Sequence, residues 1–152
     1  MNAVVAVSKP LAYIDTSALV KRFITEAKTD DIEQFLIAQS HQCVLSSLSL
    51  TELKSVLQRR KRDAQITEEV VQLSQQQVML ELAQGSWHYV AISEPLFIDA
   101  GKLIATLSSP LAALDALHLA CARTARCQLM VSADSQLLRA AAEAGLQIFN
   151  LS

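Results

Sequence analysis

Apolar residues along this chain follow two rhythms. Short unbroken runs, Leu11 to Asp15, Cys43 to Ser46, Trp87 to Ile92, Gln128 to Val131 and Gln147 to Asn150, have the length and enrichment of buried strands. Between them the apolar positions recur every three or four residues, as on one face of a helix. That spacing predicts helices over Ala18 to Phe23, Thr29 to Gln39 (Ile32, Phe35 and Leu36 inward) and Ser47 to Arg62 (Leu50, Leu53, Val56 and Leu57 inward). It predicts further helices over Thr67 to Gln84 (Val70, Leu73, Val78 and Leu82 inward), Pro95 to Leu107, Leu111 to Arg123 and Gln136 to Ala144. Gly85 and Gly145 stand where helices commonly stop. Strands alternating with helices imply an α/β fold around a largely parallel sheet, with helices on both faces.

Composition narrows the class. Of 152 residues, 51% are hydrophobic and 18% charged, which favours a compact core over a disordered chain; one domain spanning 1–152, with its core over about 11–150, is expected. The apolar runs are too short for a membrane span of roughly 18 to 20 residues, and MNAVVAVSKP has no basic n-region before a long apolar core. Cys43, Cys121 and Cys127 form no CxxC pair and are expected as reduced thiols, with a cytoplasmic location as the default. The net charge of −2 offers no global field for nucleic acid, so any basic footprint is local. Arg59, Arg60, Lys61 and Arg62 are the dense candidate, with Lys21 and Arg22 a second pair; they could contact phosphates, or the first cluster could simply complement a helix C-terminus.

Four carboxylates bear on the chemistry. Asp15 ends the first strand and Asp134 follows another, where open parallel sheets bind ligands, yet both also suit helix N-caps. Glu52 closes SLTE, which reads as a capping box with Ser49 as cap. Asp115 lies in LAALDALHLACA, apolar nearly all round; a helix starting near Leu111 buries it beyond capping range, where it needs protonation, a cation or an ion pair with His118. One account covers all four: hard oxygen donors converging at strand ends suit Mg²⁺ or Mn²⁺, which can polarise a phosphodiester and activate a water. Thr16, Ser17 and Ser132 would orient the carboxylates. No G-x-S-x-G, P-loop, G-x-G-x-x-G or zinc spacing competes, and an aspartyl-phosphate mechanism on Asp15 lacks the second Asp, its place being Ser17.

In order and spacing, YIDTSAL from Tyr13, SLTEL from Ser49, LDALHLA from Leu114, SADxxL from Ser132 and AGLxI from Ala144 resemble PIN-domain proteins, most of all the VapC-type toxins of bacterial toxin–antitoxin pairs. The resemblance implies a PIN-like three-layer fold, a central, mostly parallel four- or five-stranded sheet flanked by helices. It also implies a Mg²⁺- or Mn²⁺-dependent endoribonuclease acting through Asp15, Glu52, Asp115 and Asp134, with Asp15, Asp115 and Asp134 as metal ligands. A homodimer and a VapB-like antitoxin partner follow from the same likeness, the antitoxin expected against Leu48 to Gln84. The alternative is a catalytically inactive PIN-fold module that binds RNA or protein.

Overall fold

A computed structural model describes residues 8–152; the first seven, part of the N-terminal stretch discussed above, lie outside the described residues. Five strands, β1 (Leu11–Ile14), β2 (Gln42–Ser46), β3 (His88–Val90), β4 (Leu129–Ser132) and β5 (Gln147–Asn150), form one sheet in the order β3-β2-β1-β4-β5. Every neighbouring pair is parallel, with Ala12 beside Cys43 and Leu129. The chain is therefore an α/β protein of the expected kind, with five strands. Its helices are α1 (Thr16–Leu19, followed by a 3-10 turn over Val20–Arg22), α2 (Thr29–Ala38), α3 (Ser47–Arg62), α4 (Glu68–Ala83), α5 (Glu94–Thr106), α6 (Ala113–Thr124) and α7 (Ser135–Glu143).

Strand alternation divides the core in two. Ala12 and Ile14 of β1, Leu45 of β2 and Val131 of β4 pack with α1 to α4, while Tyr13, Val44 and Met130 face α5 to α7. Successive side chains of one strand thus anchor opposite layers, and both sheet faces are covered. Because β1 is central, with β2 on one side and β4 on the other, the connections diverge beside it, and the crevice beyond its carboxyl end is the topological switch point.

Several expectations shift in detail. The first helix is one α-turn and a 3-10 turn, starting at Thr16 rather than Ala18 because Asp15 caps it. Of the run from Trp87 to Ile92, only His88–Val90 pairs, on an edge strand that meets β2 alone. In α4 the buried stripe is Val71, Ser74 and Val78, and Leu73 is 56% exposed. Ser74 can occupy that contact because its hydroxyl donates to the Val70 carbonyl (2.6 Å). Helix α6 begins at Ala113, so Asp115 lies in its first turn and is half-buried rather than deep in the core.

Gly85 and Gly145 end α4 and α7 as expected, with φ of 75° and 94°. In each, the glycine amide and the next amide reach back to carbonyls of the last turn, Leu82 and Glu81 in one case, Ala142 and Ala141 in the other. Ala64 after α3 and Arg126 after α6 make the same pair of bonds at positive φ without being glycine.

Candidate functional site

Three strand ends and one helix start deliver the four carboxylates to a single cleft of about 480 Å³. Asp15 follows β1 directly and caps α1: Oδ1 accepts from the Ala18 amide (3.0 Å) and the Ser17 hydroxyl (2.8 Å), and Oδ2 accepts from Ser132 Oγ (2.8 Å). It is 4% exposed, and burial raises its pKa even though hydrogen bonds from Ser17, Ala18 and Ser132 oppose the rise. Asp134 caps α7 through Oδ1, which accepts from the Gln136 and Leu137 amides (2.8 and 3.2 Å). The bonding leaves Oδ2 of Asp134 without a protein partner among the described residues. Ser132 and Ser17 tie the ends of β1 and β4 together. Ser132 Oγ accepts from the Asp134 amide (2.9 Å), and Ser17 Oγ accepts from the Ala133 amide (2.8 Å).

Glu52 reaches the cleft by a route that differs from the expected capping box. Strand β2 runs into α3 with no intervening loop, so the cap is Ser46, the last strand residue, and its box partner at N3 is Ser49. Glu52 is thereby displaced into the second turn and released from capping. Its Oε2 accepts from Thr16 Oγ1 (2.6 Å) and His118 Nε2 (2.8 Å). Burial favours the neutral acid, but these two bonds outweigh it and hold the Glu52 pKa below the usual range.

Asp115 makes no protein hydrogen bond among the described residues, and the pairing with His118 considered from sequence is not formed, since His118 is engaged by Glu52 and Tyr13. Burial first, then the Asp134 charge, with smaller contributions from Asp15 and Glu52, raise Asp115 to about 6. Mutual repulsion of carboxylates is what a cation between them relieves. The donors are all hard oxygens, as Mg²⁺ or Mn²⁺ requires. Among the described residues no three carboxylate, imidazole or thiolate groups close into a ready ligand cage. A cation held there would have to keep water between itself and some of these ligands, as Mg²⁺ commonly does.

The cleft is lined by cations as well. Lys21, Arg59 and Arg60 line it, together with Glu26, which sequence reasoning passed over. Lys21 is 7% exposed; its Nζ donates to the Ala27 carbonyl (2.8 Å) and lies 3.6 Å from Glu26 Oε2, while Arg60 pairs with the other Glu26 oxygen. Arg60 Nε is buried without a partner. Arg22 is elsewhere: its guanidinium forks onto Glu81 (2.7 and 2.8 Å) beside Trp87, in a separate cavity of about 560 Å³. Lys61 pairs with Glu68, and Lys61 and Arg62 are exposed at the end of α3, outside the cleft lining. His118 was legible only as a residue one turn beyond Asp115, and nothing in the sequence pointed to Glu26.

A doubly covered parallel sheet with an acidic cleft at its switch point defines the class, and the comparisons give the family. Residues 12–143 match the family described as PIN domain, and the chain belongs to it. Among solved structures it is similar to VapC20 of Mycobacterium tuberculosis, described as a sarcin–ricin-loop-cleaving toxin (TM-score 0.69, 14% identity, 85% of this chain and 94% of that one). It is also similar to VapBC2 of Rickettsia felis bound to a promoter DNA fragment (0.65, 16%, 93% and 99%) and to FitAcB of Neisseria gonorrhoeae (0.65, 15%, 91% and 96%). At these identities the likeness is one of fold. No curated protein matches the chain.

Proposed function

We propose that this chain is a divalent-metal-dependent endoribonuclease, the toxin component of a toxin–antitoxin pair acting in the cytoplasm. The observation that carries the reading is the cleft itself, four carboxylates from four segments sharing its lining with cationic side chains. Asp15, Asp115 and Asp134 would hold Mg²⁺ or Mn²⁺. Bound there, the ion polarises the phosphodiester, acidifies a water and offsets charge on the leaving oxygen. Glu52, ionised and partly exposed in the cleft, accepts the proton of the attacking water. Arg59, exposed, and Arg60, partly exposed beside Glu26, hold backbone phosphates and set the RNA in register with the carboxylates, while Lys21, 7% exposed and bonded to Ala27 and Glu26, contributes its charge from behind. Ser17 and Ser132 fix Asp15, so that the deepest carboxylate does not reorganise during turnover.

An antitoxin partner and a homodimer belong to the same reading. Described neighbours include toxin–antitoxin complexes. Leu73, Met79 and Leu80 on α4 and Phe97, Ile98 and Ile104 on α5 leave apolar surface that such partners would cover. No described helix is long and apolar enough to cross a membrane.

The test is cleavage of a mixed small-RNA pool with Mg²⁺ or Mn²⁺ against EDTA, beside Asp15→Asn and Asp115→Asn. Metal-dependent cuts that disappear in both variants are expected. Cleavage by Asp115→Asn at the wild-type rate would overturn the site assignment, and divalent-dependent stabilisation without any cleavage would favour a binding module.

A further inference from the structure

Behind Glu52 lies a line of buried polar side chains that the reaction above does not use. Thr16 and His118 both bond Oε2 of Glu52, while Oε1 has no protein partner among the described residues. His118 is 2% exposed, and its second ring nitrogen, Nδ1, lies 2.7 Å from the Tyr13 hydroxyl. Tyr13 is fully buried; its hydroxyl is 2.8 Å from Ser46 Oγ and 3.5 Å from Ser49 Oγ. Those two serines cap α3, the helix that carries Glu52. The hydrogen bonds therefore leave Glu52, pass through α6 and β1, and return to the first turn of Glu52's own helix.

Packing alone does not account for this line. A phenylalanine and a leucine would fill the space between β1 and α6 without placing a phenol and an imidazole in the core, where each polar atom must find a partner. Donor counting then fixes the proton. The Tyr13 O–H can donate to Nδ1 of His118 (2.7 Å) or to Ser46 Oγ (2.8 Å), but Glu52 Oε2, a carboxylate oxygen, can only accept from the ring. The ring proton is left on Nε2, the nitrogen that faces Glu52.

We propose that His118 and Tyr13 are positioning residues: the Tyr13 hydroxyl braces, at Nδ1, the Nε2–H tautomer of His118, which with Thr16 grips Glu52 by one oxygen and leaves Oε1 facing the cleft for the attacking water. The last clause rests on the nuclease reading, whereas the tautomer does not. A carboxylate gripped by one oxygen from two directions has lost its freedom to rotate, which is what a base in a fixed reacting geometry requires.

Long-range proton–nitrogen NMR of ¹⁵N-histidine-labelled protein tests the first part, with the His118 signals assigned by their loss in His118→Gln. An Nε2–H tautomer with a bare, hydrogen-bonded Nδ1 in wild type, whose Nδ1 resonance moves in Tyr13→Phe, is expected; a proton on Nδ1 in wild type, or a ring unmoved in Tyr13→Phe, overturns the proposal. On an RNA that wild type cuts, Tyr13→Phe should lower kcat about tenfold with KM within about twofold, and His118→Leu should lower it about a hundredfold. His118→Gln, which returns an amide N–H near the Nε2 position, should recover at least about tenfold over His118→Leu. Equal losses in those two variants, or an unchanged kcat in Tyr13→Phe, overturn the positioning role. Should wild type cut no RNA, the nuclease reading fails by itself and the tautomer decides the proposal alone.

Discussion

Asp115 is the residue at which site chemistry and stability pull hardest against each other. Its carboxyl is raised to about 6 by burial and by neighbouring acids, and it has no protein donor in return among the described residues. Neutralising it removes repulsion without breaking a bond. Asp115→Asn should therefore fold, melt slightly higher than wild type in the absence of divalent ions, and lose most RNA cleavage; a thermal melt in EDTA beside the cleavage assay checks both halves. Glu81 shows the opposite balance. Burial opposes its charge, but donors from Arg22, Gln77 and Trp87 lower its pKa to about 2. A folded-state pKa below the unfolded one gives stability that is present above the ordinary glutamate range and lost as pH falls toward 2. Glu81→Gln should cost about 1–2 kcal/mol at neutral pH, and its denaturant midpoint should converge with that of wild type as pH falls from about 4.5 toward 2. Parallel curves across that window would show that the ion pair contributes nothing.

Among the elements, the ends of helices explain both what the sequence disclosed and what it concealed. Gly85 and Gly145 advertise their stops because glycine is the residue that positive φ prefers, and the structure stops there. Ala64 makes the same reversal after α3 with no such signal, at φ 55° and fully in solvent. Ala64→Gly should therefore raise stability by about 0.5–1 kcal/mol, read as a higher denaturant midpoint with an unchanged slope. The starts of helices were harder. SLTE satisfies the capping-box pattern at Ser49 and Glu52, yet the box forms at Ser46 and Ser49, because the helix starts at Ser47, as its apolar spacing indicates, and a four-residue motif alone does not say that Ser49 already lies inside it. The N-terminal half of the α4 stripe was off by one position while Val78 was placed correctly: α4 packs chiefly on α3, and a self-bonded serine serves at that contact as well as an apolar residue. The sheet was legible throughout, since five short apolar runs leave few other ways to bury them. Of the site, Asp15, Glu52, Asp115 and Asp134 were legible as candidates and do share one cleft. The residues behind them, Tyr13, His118, Ser46 and Glu26, meet only through contacts far apart in sequence.

At the scale of the whole molecule, a net charge of −2 means that, on the proposed nuclease reading, RNA binding falls to the few cations that line the cleft. With about two phosphates engaged by Arg59 and Arg60, the logarithm of the RNA association constant should fall with log salt at a slope of about −1.4. Arg59→Ala should flatten that slope by about 0.7. Filter binding of a single-stranded RNA across a salt series measures it, and a slope unchanged in Arg59→Ala would place the phosphates elsewhere. The direct passage of β2 into α3 has a wider consequence, for how chain length can change in this fold. Each residue of an α-helix turns the chain by about 100°, so one residue inserted between Ser46 and Glu52 would swing the carboxylate to another helix face. Insertions in the exposed turn at residues 63–67 would leave every carboxylate where it stands. A single-residue insertion scan should accordingly find two regimes within one helical hairpin: a start that tolerates no change in length and a far end that accepts it freely.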